Sequence, residues 1–220
     1  VFMTHLTEVL RRESATLLTR AEVDRLLNRV RQNHASLVEE LIPTVLSVSD
    51  VQRVLQNLLR EKVSIRHVEA ILETLADAGR QTKDVLHLTE MVRLRLGHAI
   101  CQGLAGEGAT LHVITLDPAM ESQLLQSVQS AQAGLRADDG AAAPASFALE
   151  PKLAEQMMLK LMQQTERMMK SNLLPVLLCA PELRRHVRLL SERMMPHLRV
   201  LSMAEVPQAI ELKSYAVVSL

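Results

Sequence analysis

The sequence predicts an α+β protein, in which a helical bundle subdomain is followed by a small α/β subdomain with a mixed sheet. Before about residue 105, apolar residues recur at helical spacing and capping residues precede many of the runs. After it, four short β-branched or apolar runs alternate with helical segments, which favours a sheet that is at least partly parallel. A chain of 220 residues is long enough to form one large or two small domains without disulfides.

Capping signals mark the helical half. In a capping box, Ser or Thr is followed three residues later by Glu or Gln, and each side chain bonds the backbone of the other residue. The pattern occurs at Thr19 with Glu22, Ser36 with Glu39 and Ser49 with Gln52. Apolar faces then predict one helix over 51–59 and another that begins at residue 64. Pro43, a turn at 62–64 and Gly79 are the expected breaks.

In the second half of the chain, the hydrophobic pattern alternates between segments typical of strands and segments typical of helices. Strands are predicted at 110–116, 175–180, 198–203 and 210–219. Helices are predicted at 120–133, 151–170 and 182–195. The segment 134–146 (GLRADDGAAAPAS) has no periodicity and is interpreted as a mobile surface loop.

Balanced charge argues against a polyanion-binding protein. The chain has 25 Lys and Arg against 25 Asp and Glu, no Trp, and few aromatic rings for stacking on bases. A helix-turn-helix regulator is the alternative from another class, since 51–60 and 64–78 have suitable lengths. The second segment sets Arg66 against Glu69, Glu73 and Asp77. That charge has the wrong sign for DNA, so no nucleic-acid partner is expected.

Catalytic motifs are absent from the sequence. It contains no GxGxxG, GxxxxGK[ST], HExxH or GxSxG pattern. His67 and Glu69 match the first half of a zinc-deaminase motif, but its Pro-Cys-x-x-Cys is missing. Cys101 and Cys179 lie far apart and are interpreted as buried hydrophobes. We therefore expect a protein that is not an enzyme, with no catalytic residues, metal site or cofactor.

Two side-chain groups have structural and functional interpretations. Methionines concentrate in two predicted helices and are expected mainly in the core, where their flexible side chains fill gaps: Met157, Met158, Met162, Met168, Met169, Met194 and Met195. Arginines cluster later in the chain and are expected to form a solvated face that could meet an acidic partner: Arg184, Arg185, Arg188, Arg193 and Arg199.

No apolar run reaches the roughly 18 residues of a membrane-spanning helix, and no signal peptide is recognisable. We therefore expect the chain as given to be soluble and cytoplasmic. Its first residue is Val rather than Met, which suggests a piece of a longer protein.

Several long segments resemble one family closely. They are LVEELIPTVLSVSDVQRVLQNLLREKVSIRHVEAILETLAD at 37–77, LTEMVRLRLGHA at 88–99, and PVLLCAPELRRHVRLLSERMMPHLRVLSMAEVP at 175–207. Thr4-His5 also fits a VxxTHL segment. Together they resemble the large cytoplasmic domain of the flagellar and type III secretion export-gate protein, the FlhA/SctV family. His67 stands where that family usually has Asp.

The resemblance implies a domain order and a role. Residues 1–18 would be the tail of a preceding subdomain, 19–105 the helical subdomain and 106–220 the α/β subdomain. A missing N-terminal part would supply the only membrane contact, at the cytoplasmic face of the bacterial inner membrane. The domain would form a homo-oligomeric ring, nonameric in the family. It would dock chaperone-substrate complexes, gatekeepers and other export-apparatus proteins, and would help to set export order.

The resemblance also implies site residues. Met3 and Thr4 would contribute to chaperone and substrate binding at the edge of a cleft. The oligomer interface is expected around 37–77, with Glu39 and Arg60 among its exposed charges. The segments ETLAD, TKD and SFALEP favour the flagellar branch, with a virulence injectisome export gate as the alternative.

Overall fold

The computed structural model of the chain describes residues 18–135 and 151–219. The chain divides into two compact units, of which the first ends at Ile100 and the second begins at Cys101. The first is helical and the second combines helices with a four-stranded sheet, which confirms the predicted fold class. The boundary predicted after residue 105 falls at the end of a helix that spans this division along the chain.

Five α-helices and one wider helical segment form the described part of the first unit. The helices are α1 (Arg20–Asn33), α2 (Ala35–Glu39), α3 (Val48–Arg60), α4 (Val68–Ala78) and α5 (Val85–Arg95). A π-type segment, Glu40–Val45, follows α2 and contains Pro43, and its Ile42 departs from helical backbone angles. The helix α6 (Gly97–Ala105) then leads along the chain into the second unit.

The observed helix N-termini show that two of the three predicted capping boxes are wrong. At the third, the Thr19 hydroxyl accepts from the Glu22 N–H and α1 begins at Arg20, which is half of the predicted box. The Glu22 carboxylate accepts from Arg25 instead of closing the box. The box at Ser36 with Glu39 is wrong, because the N-cap of α2 is His34, two residues earlier, and it makes no side-chain capping bond. The box at Ser49 with Gln52 is also wrong, because the first turn of α3 already includes that serine.

The cap of α3 is a reciprocal pair two residues earlier. The Ser47 hydroxyl accepts from the Asp50 N–H at 3.1 Å, and the Asp50 carboxylate accepts from the Ser47 N–H at 3.1 Å. The Ser47 hydroxyl also donates to this carboxylate at 2.6 Å, and that bond is the main reason why the pKa of Asp50 is lowered. Two orphan backbone donors are thereby satisfied at the start of the helix.

The helix α5 is central to the first unit, since α3 and α4 each pack against it. Its Leu88 and Val92 are fully buried and belong to the core cluster of this unit. The predicted helix start at residue 64 is four residues too early, because α4 begins at Val68 after an N-cap at His67. The His67 side chain makes no capping bond there.

At its C-terminal end α4 forms a closely packed junction with the segment that contains Val45. Gly79 has an ordinary right-handed φ of −65°, so left-handed backbone does not explain the glycine. A Cβ at this position would lie 2.6 Å from the Leu75 carbonyl oxygen and 2.7 Å from Val45 Cγ1. The Lys83 ammonium donates to the carbonyls of both Gly79 and Val45. The junction therefore requires a residue without a side chain and holds two chain segments together.

The described part of the second unit contains a sheet and three long helices. The strands are β1 (Thr110–Leu116), β2 (Val176–Cys179), β3 (Arg199–Ser202) and β4 (Glu211–Val218). The helices are α7 (Pro118–Leu135), α8 (Pro151–Lys170) and α9 (Pro181–Ser191). All four strands were predicted within one residue at each end. Most of the predicted loop at 134–146 lies outside the described residues.

The sheet is parallel throughout the described strands rather than mixed. Its order is β3-β2-β1-β4, and each of the three neighbouring pairs is parallel. The connection from β3 includes a short 3₁₀ turn, Met203–Glu205, and returns the chain to the end of the sheet where β1 begins. Thr110 therefore pairs with Glu211, and β4 runs parallel to β1.

One core cluster joins the sheet to its helices. Side chains from all four strands pack in it with side chains from α7, α8 and α9. Most of the predicted core methionines are there, since four are buried: Met157, Met158, Met168 and Met195. Met169 is instead exposed, because it neighbours the buried Met168 on α8 and adjacent residues on a helix point about 100° apart. Met194 is also exposed, in the turn that follows α9. The methionine prediction therefore holds for most positions and fails at these two.

We predict that Gly79→Ala destabilises the first unit by about 2 kcal/mol or more, because backbone at 2.6 Å cannot move away as a side-chain end can. Gly103→Ala is the matched control, since a Cβ there meets nothing within 4 Å and the position is helical. It should be neutral or stabilising by up to ~1 kcal/mol. Urea unfolding of both variants tests this, and equal stabilities would contradict it.

Candidate interaction surfaces

The predicted site residues occupy very different positions. Met3 and Thr4 lie outside the described residues. Glu39 ends α2 and Arg60 ends α3, and both are exposed. The Arg60 guanidinium donates to Asn57 Oδ1 at 2.9 Å, one turn earlier in the same helix. These two residues are accessible but lie on different helices.

An apolar stripe lies on the outward side of α5. Leu86, Met91 and Leu94 are 46%, 37% and 40% exposed, although each carries a large hydrophobic side chain. His87 is exposed between them. Scattered single apolar residues are normal on a protein surface, but three on one helix face form a candidate contact surface.

The inward side of α5 is fixed by polar contacts as well as by leucines and valines. Arg93 Nη1 lies 3.1 Å from Glu61 Oε2, and the two side chains are only 3% and 14% exposed. The Asn57 amide donates to the Thr89 hydroxyl at 3.3 Å. Both contacts join α5 to the end of α3. A buried ion pair of this kind is geometrically demanding, so it fixes the rotation of α5 and the direction of its outward stripe.

Two charged faces lie on the helices that flank α5. We define the acidic face as Glu69, Glu73 and Asp77, which follow each other at four-residue intervals on α4 and are exposed. We define the basic face as Arg53 and Arg60, which lie seven residues apart on one side of α3 and are exposed.

The helix-turn-helix alternative loses its support here. The helix that would read base edges is α4, and its exposed side is the acidic face rather than a row of Arg, Lys, Asn or Gln. In addition, α3 and α4 each pack chiefly on α5. The contacts of α4 thus serve the bundle, and the face that it presents repels phosphate.

The predicted basic cluster is only partly a solvated face. Arg184 is 1% exposed and donates to the Val200 carbonyl at 3.3 Å. The prediction that it belongs to a solvated face is therefore wrong. Arg184 lies on the side of α9 that packs against β3, whereas Arg193 is exposed. Helical periodicity places residues on a side of a helix, but it does not reveal that a guanidinium can satisfy a strand carbonyl inside the core.

His186 is buried beside this cluster. The Arg185 Nε–H donates to His186 Nε2 at 3.4 Å, which requires that nitrogen to be unprotonated. Burial, and to a lesser degree the charge of Arg185, lowers the pKa of His186 below its ordinary value. The folded protein therefore favours the neutral imidazole.

Residues that could support metal chemistry are dispersed. Within residues 18–135 and 151–219, no group of three or more His, Cys, Asp or Glu side chains is arranged to hold a metal ion. Cys101 and Cys179 are buried, and their thiols face the Glu205 and Leu201 carbonyls. None of the helices in the described part of the chain combines the length and apolar character needed to cross a membrane.

Solved structures with this fold define the class of protein. EPEC SctV-C, described as nonameric, matches 97% of this chain at 27% identity with a TM-score of 0.80, and the chain covers 61% of it. The Chlamydia pneumoniae CdsV protein matches 100% of the chain with a TM-score of 0.82, and the chain covers 60% of it. At 24% identity this second likeness concerns the fold. The two units thus have the architecture of the cytoplasmic domain of a type III export gate.

The sequence comparisons identify the family. The model of the FHIPEP family matches residues 1–211. The flagellar biosynthesis protein FlhA of Bacillus subtilis is 35% identical over 220 residues, which are 100% of this chain and 31% of that protein. The chain therefore belongs to the FHIPEP family and spans about a third of the length of this relative. The family resemblance seen in the sequence is confirmed.

We predict that Arg93→Met destabilises the first unit by about 3 to 5 kcal/mol, because it leaves the nearly buried Glu61 carboxylate without this cation. Arg25→Met is the matched control, since its ion pair with Glu22 is exposed and should contribute less than about 1 kcal/mol. The double variant Arg93→Met with Glu61→Gln should recover part of the loss. Chemical unfolding measures all three, and a similar cost for Arg93→Met and Arg25→Met would contradict the assignment.

We predict a pH dependence from His186. Because its folded-state pKa is lowered, the unfolded chain binds more protons, and stability must rise with pH. The contribution is complete above the ordinary pKa of about 6.5 and is lost as pH falls through the folded-state value. His186→Gln should flatten the change in melting temperature between about pH 7.5 and 5.5. An unchanged slope in differential scanning calorimetry would contradict this.

Proposed function

We propose that the chain is a cytoplasmic docking platform of a type III protein export apparatus. In this role it binds chaperone-substrate complexes and gatekeepers and helps to set the order of export. The observation that carries the proposal is the family match over residues 1–211, together with the fold shared with EPEC SctV-C. Exposed apolar side chains on rigid helices, such as the stripe on α5, suit a surface that must accept more than one partner.

The flagellar version of this function has the stronger support. The B. subtilis relative is a flagellar biosynthesis protein at 35% identity over the whole chain, whereas EPEC SctV-C is 27% identical. The segments ETLAD, TKD and SFALEP favour the same branch. An injectisome export gate is the second candidate, and the close fold similarity to EPEC SctV-C supports it.

The same proposal includes assembly into a ring on the cytoplasmic side of the inner membrane. EPEC SctV-C is described as nonameric, and its similarity covers 97% of this chain. We place the ring contacts on the helical unit around residues 37–77, where Glu39 and Arg60 are exposed. An assembly of this kind would present each docking surface several times, which raises the effective concentration of a bound partner.

Chaperone and substrate docking is assigned to Met3 and Thr4 on the basis of the family resemblance. A bulky cation at Thr4 would place charge on a surface that is expected to be apolar, and desolvating that charge is costly. We predict that Thr4→Arg in the full-length protein weakens capture of chaperone-substrate complexes at least about tenfold. Binding is measured with the immobilised full-length protein, and export is followed in cells.

Ser130→Arg is the control for this experiment, because Ser130 is an exposed hydroxyl residue on α7 that the proposal does not use. It should bind and export like the natural sequence. If Thr4→Arg and Ser130→Arg behave alike, the docking assignment at Thr4 is wrong. If the full-length protein captures no chaperone-substrate complex at all, the docking function itself is wrong.

A further inference from the structure

We propose that the strand β4 binds an extended, acidic segment of a partner protein by strand addition. In this contact the segment pairs its backbone with the outer edge of β4, by which we mean the side of the strand that faces away from β1. The inference goes beyond the proposed function, because it assigns a surface and a mode of recognition on the second unit. Three features carry it: the position of β4 in the sheet, the side chains along the strand, and the charge of the flanking helix α8.

The outer edge of β4 is the longer of the two edges of the sheet. In the order β3-β2-β1-β4, the end strands are β3 with 4 residues and β4 with 8 residues. Within residues 18–135 and 151–219, β4 pairs with β1 and with no other strand. An edge strand of this length presents a row of backbone N–H and C=O groups with which another extended chain can pair.

The hydrogen bonds of β4 show which backbone groups point outward. The Glu211 N–H donates to the Ala109 carbonyl at 3.0 Å, so Glu211 directs its backbone groups toward β1. At the other end, the Val218 carbonyl accepts at 2.8 Å from the N–H of the first residue after β1. Between these points a register shift adds one residue to β4. Because alternate residues of a strand face opposite neighbours, Leu212 and Val217 direct their backbone groups to the outer edge.

The side chains change character along the strand. The first half carries Glu211 and Lys213, whose charged groups lie 3.9 Å apart, and charges of this kind protect an edge from unspecific pairing. The second half, 214–218, contains neither a charge nor Pro. Val217 is 55% exposed there, although Val is a typical strand residue. An added strand can therefore pair with this half and bury an apolar side chain.

The helix α8 packs on β4 and carries positive charge on the side that reaches the strand. The Lys160 ammonium donates to the Ser219 carbonyl at 2.6 Å. Ser171 Oγ lies 3.3 Å from the Tyr215 hydroxyl oxygen. Arg167 is seven residues after Lys160 and four before Ser171, so it lies on the same side of the helix. It is exposed and forms no ion pair in the part of the chain that the structure describes.

The charges along the outer edge favour an acidic occupant. With Lys213, the two cations on this side of α8 outnumber Glu211. The acidic residues of the helix, Glu155 and Glu166, lie about 120° or more around its axis from Lys160. Backbone pairing would supply most of the affinity, and the carboxylates of the added segment would supply specificity. A second copy of β4 is a poorer occupant, because it would bring like charges together.

The test measures binding of a fluorescein-labelled peptide to the 220-residue chain by fluorescence anisotropy. The probe is a capped acidic peptide, EVTVEVTV, which has the 8-residue length of β4. One comparison peptide, KVTVKVTV, reverses the charge. A second is the acidic peptide with N-methyl groups on two adjacent central residues, which interrupts pairing along both of its edges. The acidic peptide should bind about tenfold or more tightly than either comparison peptide, because both charge and backbone donors are used.

Two variants separate the backbone contribution from the charge. Val217→Pro removes an outward N–H without removing a bond to β1, and should weaken binding about tenfold or more. Val217→Thr keeps the N–H and should bind like the natural chain. Arg167→Glu should weaken binding of the acidic peptide and strengthen that of the basic peptide, whereas Arg193→Glu, also an exposed position of the second unit, should change neither. Circular dichroism establishes that each variant is folded.

Several results would overturn the proposal. One is equal binding of the three peptides by the natural chain, and another is no binding of the acidic peptide at ~1 mM. Natural binding by a folded Val217→Pro variant would place recognition elsewhere. Sedimentation velocity without peptide examines the other occupant: if the chain dimerises and Val217→Pro abolishes the dimer, a second copy occupies the edge and the acidic-partner proposal is wrong. None of these results affects the docking assigned to Thr4, which has its own test.

Discussion

The buried ion pair between Arg93 and Glu61 is the constraint on which the helical unit depends. Two ions with little access to water are tolerated only when they face each other, so α5 can take a single rotation against the end of α3. That rotation buries Leu88 and Val92 and directs Leu86, Met91 and Leu94 outward. The helices α3 and α4, which carry the two charged faces, both pack on this helix.

The α/β unit buries polar side chains next to its parallel sheet. Arg184 uses its guanidinium to satisfy a carbonyl of β3, and His186 remains neutral beside Arg185. The buried methionines fill the space between the sheet and its helices. Both groups belong to the buried interior of this unit.

Many of the helices and strands could be predicted from local sequence, because the spacing of the apolar residues that become buried differs between a helix and a strand. The strand at 110–116 and the helix at 151–170 agree with the structure at both ends. Local sequence could not identify the N-cap of α3, since Ser47 with Asp50 and Ser49 with Gln52 have the same spacing. The parallel direction of β4 depends on where the 203–210 connection returns the chain, which is a long-range property.

The interaction surfaces were less predictable than the fold. Single exposed charges such as Glu39 and Arg60 can be anticipated from helical periodicity, but their grouping into an acidic and a basic face requires the packing of α3 and α4 on α5. Arg184 was misassigned because helical periodicity predicts the side of the helix on which a residue lies, but not that a strand carbonyl, that of Val200, accepts from its guanidinium there. Met3 and Thr4 rest on the family resemblance, since they lie outside the described residues.

The most direct test of the central claim, that the helical unit is the assembling element, is hydrogen exchange measured by mass spectrometry. The full-length protein in solubilised membranes is compared with the isolated 220-residue chain. We expect assembly to slow exchange in peptides that cover α3, α4 and α5, with peptides from β1 to β4 unchanged. Slower exchange confined to the α/β unit, with α3 to α5 unaffected, would contradict the account.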